Sequence, residues 1–535
     1  MKIEGKRFAR AAVATPHYLA SAVGLGVLAD GGNAIDAIIA ANLALGVVAP
    51  YLCGYGGDLF AIVWDGRDRD ATPIGFRSAG RAPGAATVEA VRSASGRDTM
   101  PVVGAHTVTV PGAVRGWFEL LERFGTRSFA DLCGPALQYA FEGFPVTRRG
   151  AAMFEGTRLM YEYFDREPRP SGNGTSGTFD ELQACYGGAV EGARFRQPGL
   201  ARTIATLRDD GPGAYYGGPI GAAIAETLQR HGGLMTAADI AAHTSAWVDP
   251  LHAPFGAVEV YELPPPTQGV SALEALRILD GYDLPVDGPD RQHLIIEAVK
   301  IALADRDEYV TDPDAMSIDP SALLADDWIA ARRDAIDPKF AATLPRQPGP
   351  DGGTAYLCAS DADGLLVSLI QSNFTAIGSG VHVTEWGINL QNRGSSFSLD
   401  PAHVNATAPG KLPMHTLVPT LSLREEKPWL VFGTMGGQGQ IQTHAQVLTR
   451  IVVDGDDPQA AISAPRWQVD PDRWRVAIEP RFPSEWVDEL SDRGHDIHRV
   501  RNYDDTMGHA HAIELTDSGY LAATDPRAEG AVLGL

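Results

Sequence analysis

The chain has 535 residues, of which 44% are hydrophobic and 21% charged, a composition typical of a globular protein with a sizeable core. Its 44 basic and 67 acidic residues give a formal net charge of −23, which repels phosphate backbones and anionic lipids and so argues against nucleic-acid and membrane partners. Four scattered cysteines without a C-x-x-C pair, and no apolar signal segment near the start, lead us to expect a reduced, cytoplasmic protein.

The first predicted elements are two small-residue helices between Leu19 and Pro50. Apolar residues recur at helical spacing in LASAVGLGVLADGGNAIDAIIAANLALGVVAP, with a stop at Gly31-Gly32 and a new start at Asn33. The many alanines and glycines allow close backbone approach, so we expect the pair to pack against a sheet. The segment DLFAIVWDG that follows is typical of a strand ending in a turn.

A helix-rich region is predicted between about Ser128 and Val310. Helical periodicity dominates it, for example in SFADLCGPALQYAFEGFPV and RQHLIIEAVKIALADRDEYV, with proline-rich breaks such as ELPPPTQG. Residues 341–353, AATLPRQPGPDGG, lose this periodicity and have the composition of an exposed linker. The main boundary is therefore expected there, between residues 1–353 and residues 354–535.

The part of the chain after the linker is predicted to be led by strands. The alternating segments TAYLCAS and LLVSLIQSN flank the turn DADG and predict an antiparallel hairpin. Further strands are expected at GINLQN, PTLSL and WLVFG, edge strands at RVAIE, DIHRVR and GHAHAIEL, and helices at GQIQTHAQVLTRIVVDG and DPQAAISAPRW. Mixed sheets layered with helices, an α+β fold class, follow from this order.

The hairpin begins with Thr354, directly after Gly353 and the linker. A threonine hydroxyl becomes a good nucleophile when a base lies beside it, and its own α-amino group, with a pKa of about 7.7–8.0, suits neutral pH. An internal threonine supplies that amine only if the Gly353–Thr354 bond is cut, which attack of its own hydroxyl on the Gly353 carbonyl would accomplish. The junction therefore indicates a self-cleavage site, although a loop that simply ends at a strand could have the same sequence.

Two further segments hold candidate catalytic groups. The strand end IQSNFTAIGSG carries Ser372 and Asn373, a hydroxyl and an amide that can face Thr354. The segment FGTMGGQGQIQTH places Gly436 and Gly437 before a predicted helix, where adjacent backbone N–H groups can hold a developing oxyanion. A plain polar strand end and a tight turn are the simpler interpretations.

Together these segments resemble the γ-glutamyltranspeptidase family of N-terminal-nucleophile hydrolases. The resemblance covers nearly the whole chain in one ordered series, and the blocks similar to the family's large subunit are ASAVGLGVLADGGNAIDAIIAANLALGVVAPYLCGYGGDLF, VPGAVRGWFELLERFG, ALQYAFEGFPV, ELPPPTQG and IIEAVKIALADRD. The linker then leads into a threonine like the one that begins the family's small subunit. The resemblance implies a four-layer αββα sandwich of the N-terminal-nucleophile hydrolase type, cleavage before Thr354 and an acyl-enzyme mechanism.

The resemblance also implies roles for individual residues. Thr354 would be nucleophile and base, Ser372 the hydroxyl that supports it, and Gly436 and Gly437 the oxyanion hole. The candidate substrate-binding residues are Arg77, Arg81, Asn373, Asn392, Arg393, Ser396, His415 and Thr416. The spacing of GFRSAGRAP does not decide whether Arg77 or Arg81 would bind the substrate carboxylate. We prefer Arg77 because it follows an aromatic residue, as in the family.

The chain departs from the family pattern at positions that recognise substrate. The family's Thr-Thr-His start becomes Thr-Ala-Tyr, and the acidic residue that usually pairs with a substrate ammonium becomes Ser396, close to Arg393. The twin serines that usually bind a carboxylate become His415-Thr416. Positive charge without a carboxylate favours an anionic acyl group that lacks an ammonium. In this respect the chain resembles divergent members of the family, including oxamate amidohydrolase-like proteins and dicarboxylyl acylases related to cephalosporin acylases.

We therefore expect an autoprocessed threonine amidohydrolase or acyltransferase that acts on a small-molecule amide and favours hydrolysis over transfer. Two alternatives stay open: a γ-glutamyl transpeptidase or glutathione hydrolase proper, and an uncleaved, inactive binding protein on the same scaffold. No metal or other cofactor is expected, because His509 and His511 alternate on a strand without a third ligand. The large and small subunits are expected to pair tightly, and a homodimer of such heterodimers is a further expectation.

Overall fold

The computed structural model describes residues 4–166, 179–345 and 352–535. Of the predicted linker at residues 341–353, the part from 346 to 351 lies outside the described residues. None of the described helices is long and apolar enough to cross a membrane.

The two helices predicted near the start are confirmed as α1 and α2. Asn33 caps the second one as expected, since its side chain accepts from the backbone N–H of Asp36 while Asp36 accepts from that of Asn33. The helices of the described chain are α1 (Tyr18–Ala29), α2 (Ala34–Val48), α3 (Val88–Ser95), α4 (Ala113–Phe124), α5 (Phe129–Leu132), α6 (Gly134–Glu142), α7 (Arg148–Arg166), α8 (Asp180–Tyr186), α9 (Pro198–Asp210), α10 (Gly213–Tyr216), α11 (Pro219–Arg230), α12 (Ala237–Ala241), α13 (Gly269–Asp280), α14 (Pro289–Tyr309), α15 (Asp326–Asp334), α16 (Gln440–Val452), α17 (Pro458–Ser463) and α18 (Ser484–Asp492).

The strands include the predicted hairpin, whose two arms pair antiparallel as β10 and β11. The strands of the described chain are β1 (Lys6–Phe8), β2 (Ala12–Thr15), β3 (Asp58–Asp65), β4 (Ile74–Ser78), β5 (Phe144–Pro145), β6 (Arg194–Phe195), β7 (Ala246–Val248), β8 (Leu251–Phe255), β9 (Val258–Glu262), β10 (Gly353–Ser360), β11 (Leu365–Phe374), β12 (His382–Val383), β13 (Ile388–Asn389), β14 (Thr420–Arg424), β15 (Lys427–Thr434), β16 (Trp467–Asp470), β17 (Arg475–Ile478), β18 (Asp496–Arg499), β19 (Ala510–Thr516), β20 (Gly519–Thr524) and β21 (Ala531–Gly534).

Two seven-stranded sheets form the centre of the molecule, in the orders β21-β2-β10-β11-β3-β4-β7 and β1-β20-β19-β15-β14-β9-β8. The apolar layer between them includes Phe60, Tyr356, Ile370, Val431 and Ile513. Helix α2 packs on the outer face of the first sheet, and α13 and α16 pack on the outer face of the second. The predicted α+β class and its four-layer αββα sandwich are confirmed.

Both sheets combine strands from before and after Thr354. The first sheet takes β10, β11 and β21 from the later part of the chain, and the second takes β14, β15, β19 and β20. Cleavage before Thr354 would therefore leave two chains that share both sheets and the apolar layer between them.

Two details of the strand prediction are wrong. GHAHAIEL forms β19, which lies inside its sheet between β15 and β20, and RVAIE forms β17, which lies between β16 and β18. The helix-rich central region also contains the short strands β7, β8 and β9. Alternation reveals a strand but not its neighbours, and strands of three to five residues carry little periodic signal.

The candidate site lies on the inner face of the first sheet. Strand β11 pairs with β10 on one side and with β3 on the other, which sets Ser372 directly opposite Asp58. Alternate residues of a strand share a face, and Thr354, Ser372 and Asp58 each lie two residues from a side chain in the layer between the sheets. These three residues therefore form a row across three neighbouring strands.

Candidate active site

The hydroxyl of Ser372 contacts both parts of the predicted cleavage site. Thr354 is completely buried, and its Oγ1 donates to Ser372 Oγ over 3.3 Å. Ser372 Oγ in turn donates to the carbonyl oxygen of Gly353 over 2.7 Å and accepts from the N–H of Phe374 at 2.7 Å. One hydroxyl thus links the candidate nucleophile to the carbonyl that it would attack.

The backbone around this contact is irregular. The pairing of β10 with β11 shifts register between Gly353 and Ala355, and two non-glycine residues nearby, Phe374 and Ala376, have positive φ angles of 73° and 47°. Such conformations cost about 1–3 kcal/mol each and persist where the surrounding structure enforces them. A bulge can redirect a side chain, and the hydroxyl of Ser372 contacts the start of β10 beside this irregularity.

The candidate oxyanion loop connects β15 to α16. Gly436 and Gly437 have φ angles of 136° and 52°, conformations that favour glycine. The Nε2 of Gln268 donates to the Gly437 carbonyl over 3.1 Å, and among the described residues neither glycine N–H donates a hydrogen bond. Two free N–H groups before a helix can receive an anion.

A close contact between the sheets holds this loop near the nucleophile strand. A Cβ on Gly433 would lie only 2.3 Å from the ring of Tyr356, so the ring packs directly on the backbone of β15. Tyr356 follows Thr354 by two residues, and Gly433 precedes Gly436 by three. The start of β10 and the glycine loop are therefore joined through this contact.

Arg393 provides a buried cation beside these groups. It is 1% exposed, donates to Thr416 Oγ1 over 3.1 Å and stacks over the ring of Phe374 at 3.8 Å. Burial lowers the pKa of Arg393 to about 9, while the charge of Asp58 acts in the opposite direction. Within the described part of the chain Arg393 forms no ion pair, which leaves its charge available to a ligand.

Asp58 and His415 lie next to this cation. Asp58 Oδ1 accepts from the N–H groups of Gly80 at 3.2 Å and Gly112 at 3.1 Å, and its Oδ2 is 3.5 Å from Nε2 of His415. Burial raises the pKa of Asp58 to about 7, against the opposing effect of Arg393 and the two N–H groups. Burial, and then the nearby arginines, hold the pKa of His415 well below its usual range, so the ring is neutral.

Sequence reasoning missed Asp58. The available signal was a carboxylate directly after the Gly56-Gly57 pair, at the head of the apolar run LFAIVW in the strand predicted for DLFAIVWDG. A charged residue at the start of a buried strand is uncommon unless it is paired or functional.

The two arginines left open by the sequence have different surroundings. Arg81 binds Asp312 at 3.1 Å and the carbonyl of Gly410 at 2.9 Å, and its side chain is 48% exposed. Arg77 is half-buried, donates to the carbonyl of Pro265 at 3.4 Å, and forms no ion pair with a described carboxylate. Its charge acts on His415, so Arg77 remains our candidate for substrate binding.

The remaining predicted binding residues hold the surrounding loops. Asn373 donates to the carbonyl of Pro50 at 3.4 Å, and Asn392 joins the N–H of Thr375 to the carbonyl of Val102. Ser396 is half-buried, and its carbonyl accepts from the side chain of Asn405. Their roles toward a substrate stay predictions.

One group of candidate metal ligands occurs among the described residues. Ligand atoms of His293, Glu297 and His495 lie within 4.8 Å of one another. However, His293 Nδ1 already pairs with His495 Nε2 at 2.8 Å, and Glu297 pairs with Nζ of Lys300 at 2.8 Å. A cation there would have to displace an ammonium group, so we assign no metal to this cluster.

Comparison with known proteins gives consistent matches over nearly the whole chain. The family model described as Gamma-glutamyltranspeptidase matches residues 20–535. A glutathione hydrolase-like YwrD proenzyme of Bacillus subtilis is 35% identical, with 98% of each chain covered, and an oxamate amidohydrolase proenzyme of Klebsiella pneumoniae is 37% identical, with 97% of each covered. A cephalosporin acylase structure from Bacillus halodurans superposes with a TM-score of 0.91 at 36% identity, covering 100% of this chain and 97% of the other.

Proposed function

This chain belongs to the gamma-glutamyltranspeptidase family, and we propose that it is an autoprocessed amide hydrolase that uses Thr354 to cleave small amides with an anionic acyl group. The observation that carries the proposal is the Ser372 hydroxyl, which lies 3.3 Å from Thr354 Oγ1 and 2.7 Å from the Gly353 oxygen. Relatives described as proenzymes support a precursor that is cut into two chains.

Self-cleavage would begin with attack of Thr354 Oγ1 on the Gly353 carbonyl carbon, closing a five-membered ring. The hydrogen bond from Ser372 stabilises the negative charge that develops on the carbonyl oxygen. The C–N bond then breaks, the hydroxyl proton passes to the Thr354 nitrogen, and Gly353 becomes an ester of the threonine. Water hydrolyses this ester, leaving a Gly353 carboxylate and a Thr354 with a free α-amine.

The same groups would then act on a substrate. The α-amine, with a pKa of about 7.7–8.0, takes the hydroxyl proton as Oγ1 attacks the substrate carbonyl, and returns it to the leaving nitrogen. The N–H groups of Gly436 and Gly437 are proposed to hold the oxyanion. Water, activated by the same amine, hydrolyses the acyl ester and restores Thr354.

The charges around the site support an anionic acyl group. Arg393 is buried and forms no ion pair with a described carboxylate, and the charge of Arg77 also acts on His415. Ser396 carries no charge that could pair with a substrate ammonium. A dicarboxylic acid monoamide therefore fits better than a γ-glutamyl amide, whose ammonium would meet two arginines.

Self-cleavage is tested by the mass, under denaturing conditions, of the wild-type protein and of Thr354→Ala after prolonged incubation. We expect fragments of residues 1–353 and 354–535 from the wild type and one intact chain from the variant. An intact wild-type chain would refute the proposal and favour an uncleaved binding protein.

Acyl preference is tested with the cleaved enzyme and a matched pair of substrates. Glutaryl-p-nitroanilide and γ-glutamyl-p-nitroanilide have acyl chains of the same length and differ in the α-ammonium. We expect higher kcat/KM for the glutaryl compound, and a clear preference for the γ-glutamyl compound would overturn the assignment of the acyl group.

A further inference from the structure

Two fully buried side chains beside the candidate nucleophile carry polar atoms without a hydrogen-bond partner. Within the described residues this holds for Oδ2 of Asp58 and for both ring nitrogens of His415, which are 1% and 0% exposed respectively. Asp58 Oδ2 and His415 Nε2 face each other at 3.5 Å, too far for a good hydrogen bond. Buried polar atoms are almost always paired, so unpaired ones beside the candidate nucleophile indicate a place where a ligand binds.

The charges around this pair come from several elements. Arg393 acts on both Asp58 and His415, and Arg77 of β4 acts on His415. From α10, Tyr215 and Tyr216 interact with the charge of Asp58, and from β11 the uncharged Ser372 lies directly opposite it. Asp58 is thus the carboxylate whose charge acts on Arg393, whereas Asp312 and Asp314 act on Arg77.

We infer that Asp58 is an internal counter-ion that the carboxylate of the acyl group replaces. On binding, the substrate carboxylate takes the place next to Arg393 and His415, and the Asp58–His415 pair takes up one proton. Asp58 is then a specificity-determining residue for dicarboxylic acid monoamides. The inference rests on the proposed anionic acyl group and adds that its binding is coupled to protonation.

The direction of the pH effect follows from the free site. The pKa of Asp58 is raised by burial to about 7, and a second carboxylate nearby raises it further because like charges repel. Well below pH 7 Asp58 is already protonated and its protonation adds no pH dependence to binding. Above pH 7 binding must be accompanied by protonation of Asp58, so KM rises with pH until the pKa of Asp58 in the complex is reached. The total rise is about tenfold for each unit by which the pKa in the complex exceeds the pKa in the free enzyme.

The test compares wild type with Asp58→Asn, which keeps an oxygen for the N–H groups of Gly80 and Gly112 but cannot ionise. Self-cleavage of each protein serves as the check on folding. KM for glutaryl-p-nitroanilide is measured from about pH 6 to about pH 9, with butyryl-p-nitroanilide as a substrate of similar length without the carboxylate. The α-amine of Thr354 also titrates in this range, but it is common to both proteins.

We expect KM of the glutaryl substrate to rise with pH in the wild type and to stay low in Asp58→Asn, while the butyryl substrate shows no difference in pH profile between the proteins. Calorimetric titration with glutarate in two buffers of different ionisation enthalpy should show proton uptake by the wild type at about pH 7.5. If Asp58→Asn fails to cleave itself, the wild-type titration alone decides.

Identical pH profiles in the two proteins, or glutarate binding without proton uptake, would overturn the inference. Such a result in a self-cleaving enzyme that hydrolyses the glutaryl amide leaves the proposed function intact. Conversely, a wild-type protein that neither cleaves itself nor hydrolyses the amide contradicts the proposed function, whatever the glutarate titration shows.

Discussion

Replacing Ser372 by alanine should slow self-cleavage by about two to three orders of magnitude. The substitution removes the hydrogen bond that Ser372 Oγ donates to the Gly353 carbonyl at 2.7 Å, and loss of one donor to a developing oxyanion costs about 2.7–4 kcal/mol of transition-state stabilisation. It also leaves the N–H of Phe374 without its acceptor, which costs about 1–3 kcal/mol of stability where that group is buried. The rate effect and the stability effect must therefore be measured separately.

The assay follows the fraction of cut chain over time by denaturing electrophoresis, beside a thermal unfolding scan. Ser368→Ala is the matched control, because Ser368 lies on the same strand and face, is buried, and bonds to the hydroxyl of Tyr356 at 2.9 Å. It should lower stability comparably but leave cleavage fast. Ser372→Thr, which keeps a hydroxyl, should retain much of the rate. If Ser372→Ala cleaves as fast as the wild type, the assigned role of this hydroxyl is wrong.

Two further substitutions test the acyl pocket and the contact between the sheets. Arg393→Gln should lower kcat/KM for the glutaryl amide by about tenfold to a hundredfold, because a charge-assisted hydrogen bond to the substrate is lost. Arg81→Gln is the control, because the side chain of Arg81 is half-exposed, and it should change kcat/KM little. Equal losses in the two variants would contradict the assignment of Arg393 to the acyl pocket. Gly433→Ala places a methyl group 2.3 Å from the ring of Tyr356 and should destabilise the protein by about 1–3 kcal/mol and slow self-cleavage. Gly26→Ala, at a helix position with no neighbour within 4 Å, is the control and should do neither. An unchanged Tm for Gly433→Ala would refute the packing argument.

Much of the fold follows from local sequence patterns. The helix spacing around Asn33 and the alternation on both sides of the DADG turn predicted α1, α2, β10 and β11, because periodicity and capping act over a few residues. The edge positions assigned to β17 and β19 were wrong because neighbouring strands in a sheet are chosen by long-range packing, which alternation does not record.

For the candidate site, the sequence by itself determined the order of chemical groups: a threonine after a linker, a hydroxyl on the next strand, and a glycine pair before a helix. The tertiary structure alone brought Asp58 opposite Ser372 and next to His415, because strand register joins segments that are distant in the chain. It also distinguished the two candidate arginines, because among the described residues Arg81 has an ion-pair partner and Arg77 has none. Burial and neighbouring charge, which set the protonation of Asp58 and His415, arise only when the two sheets pack together.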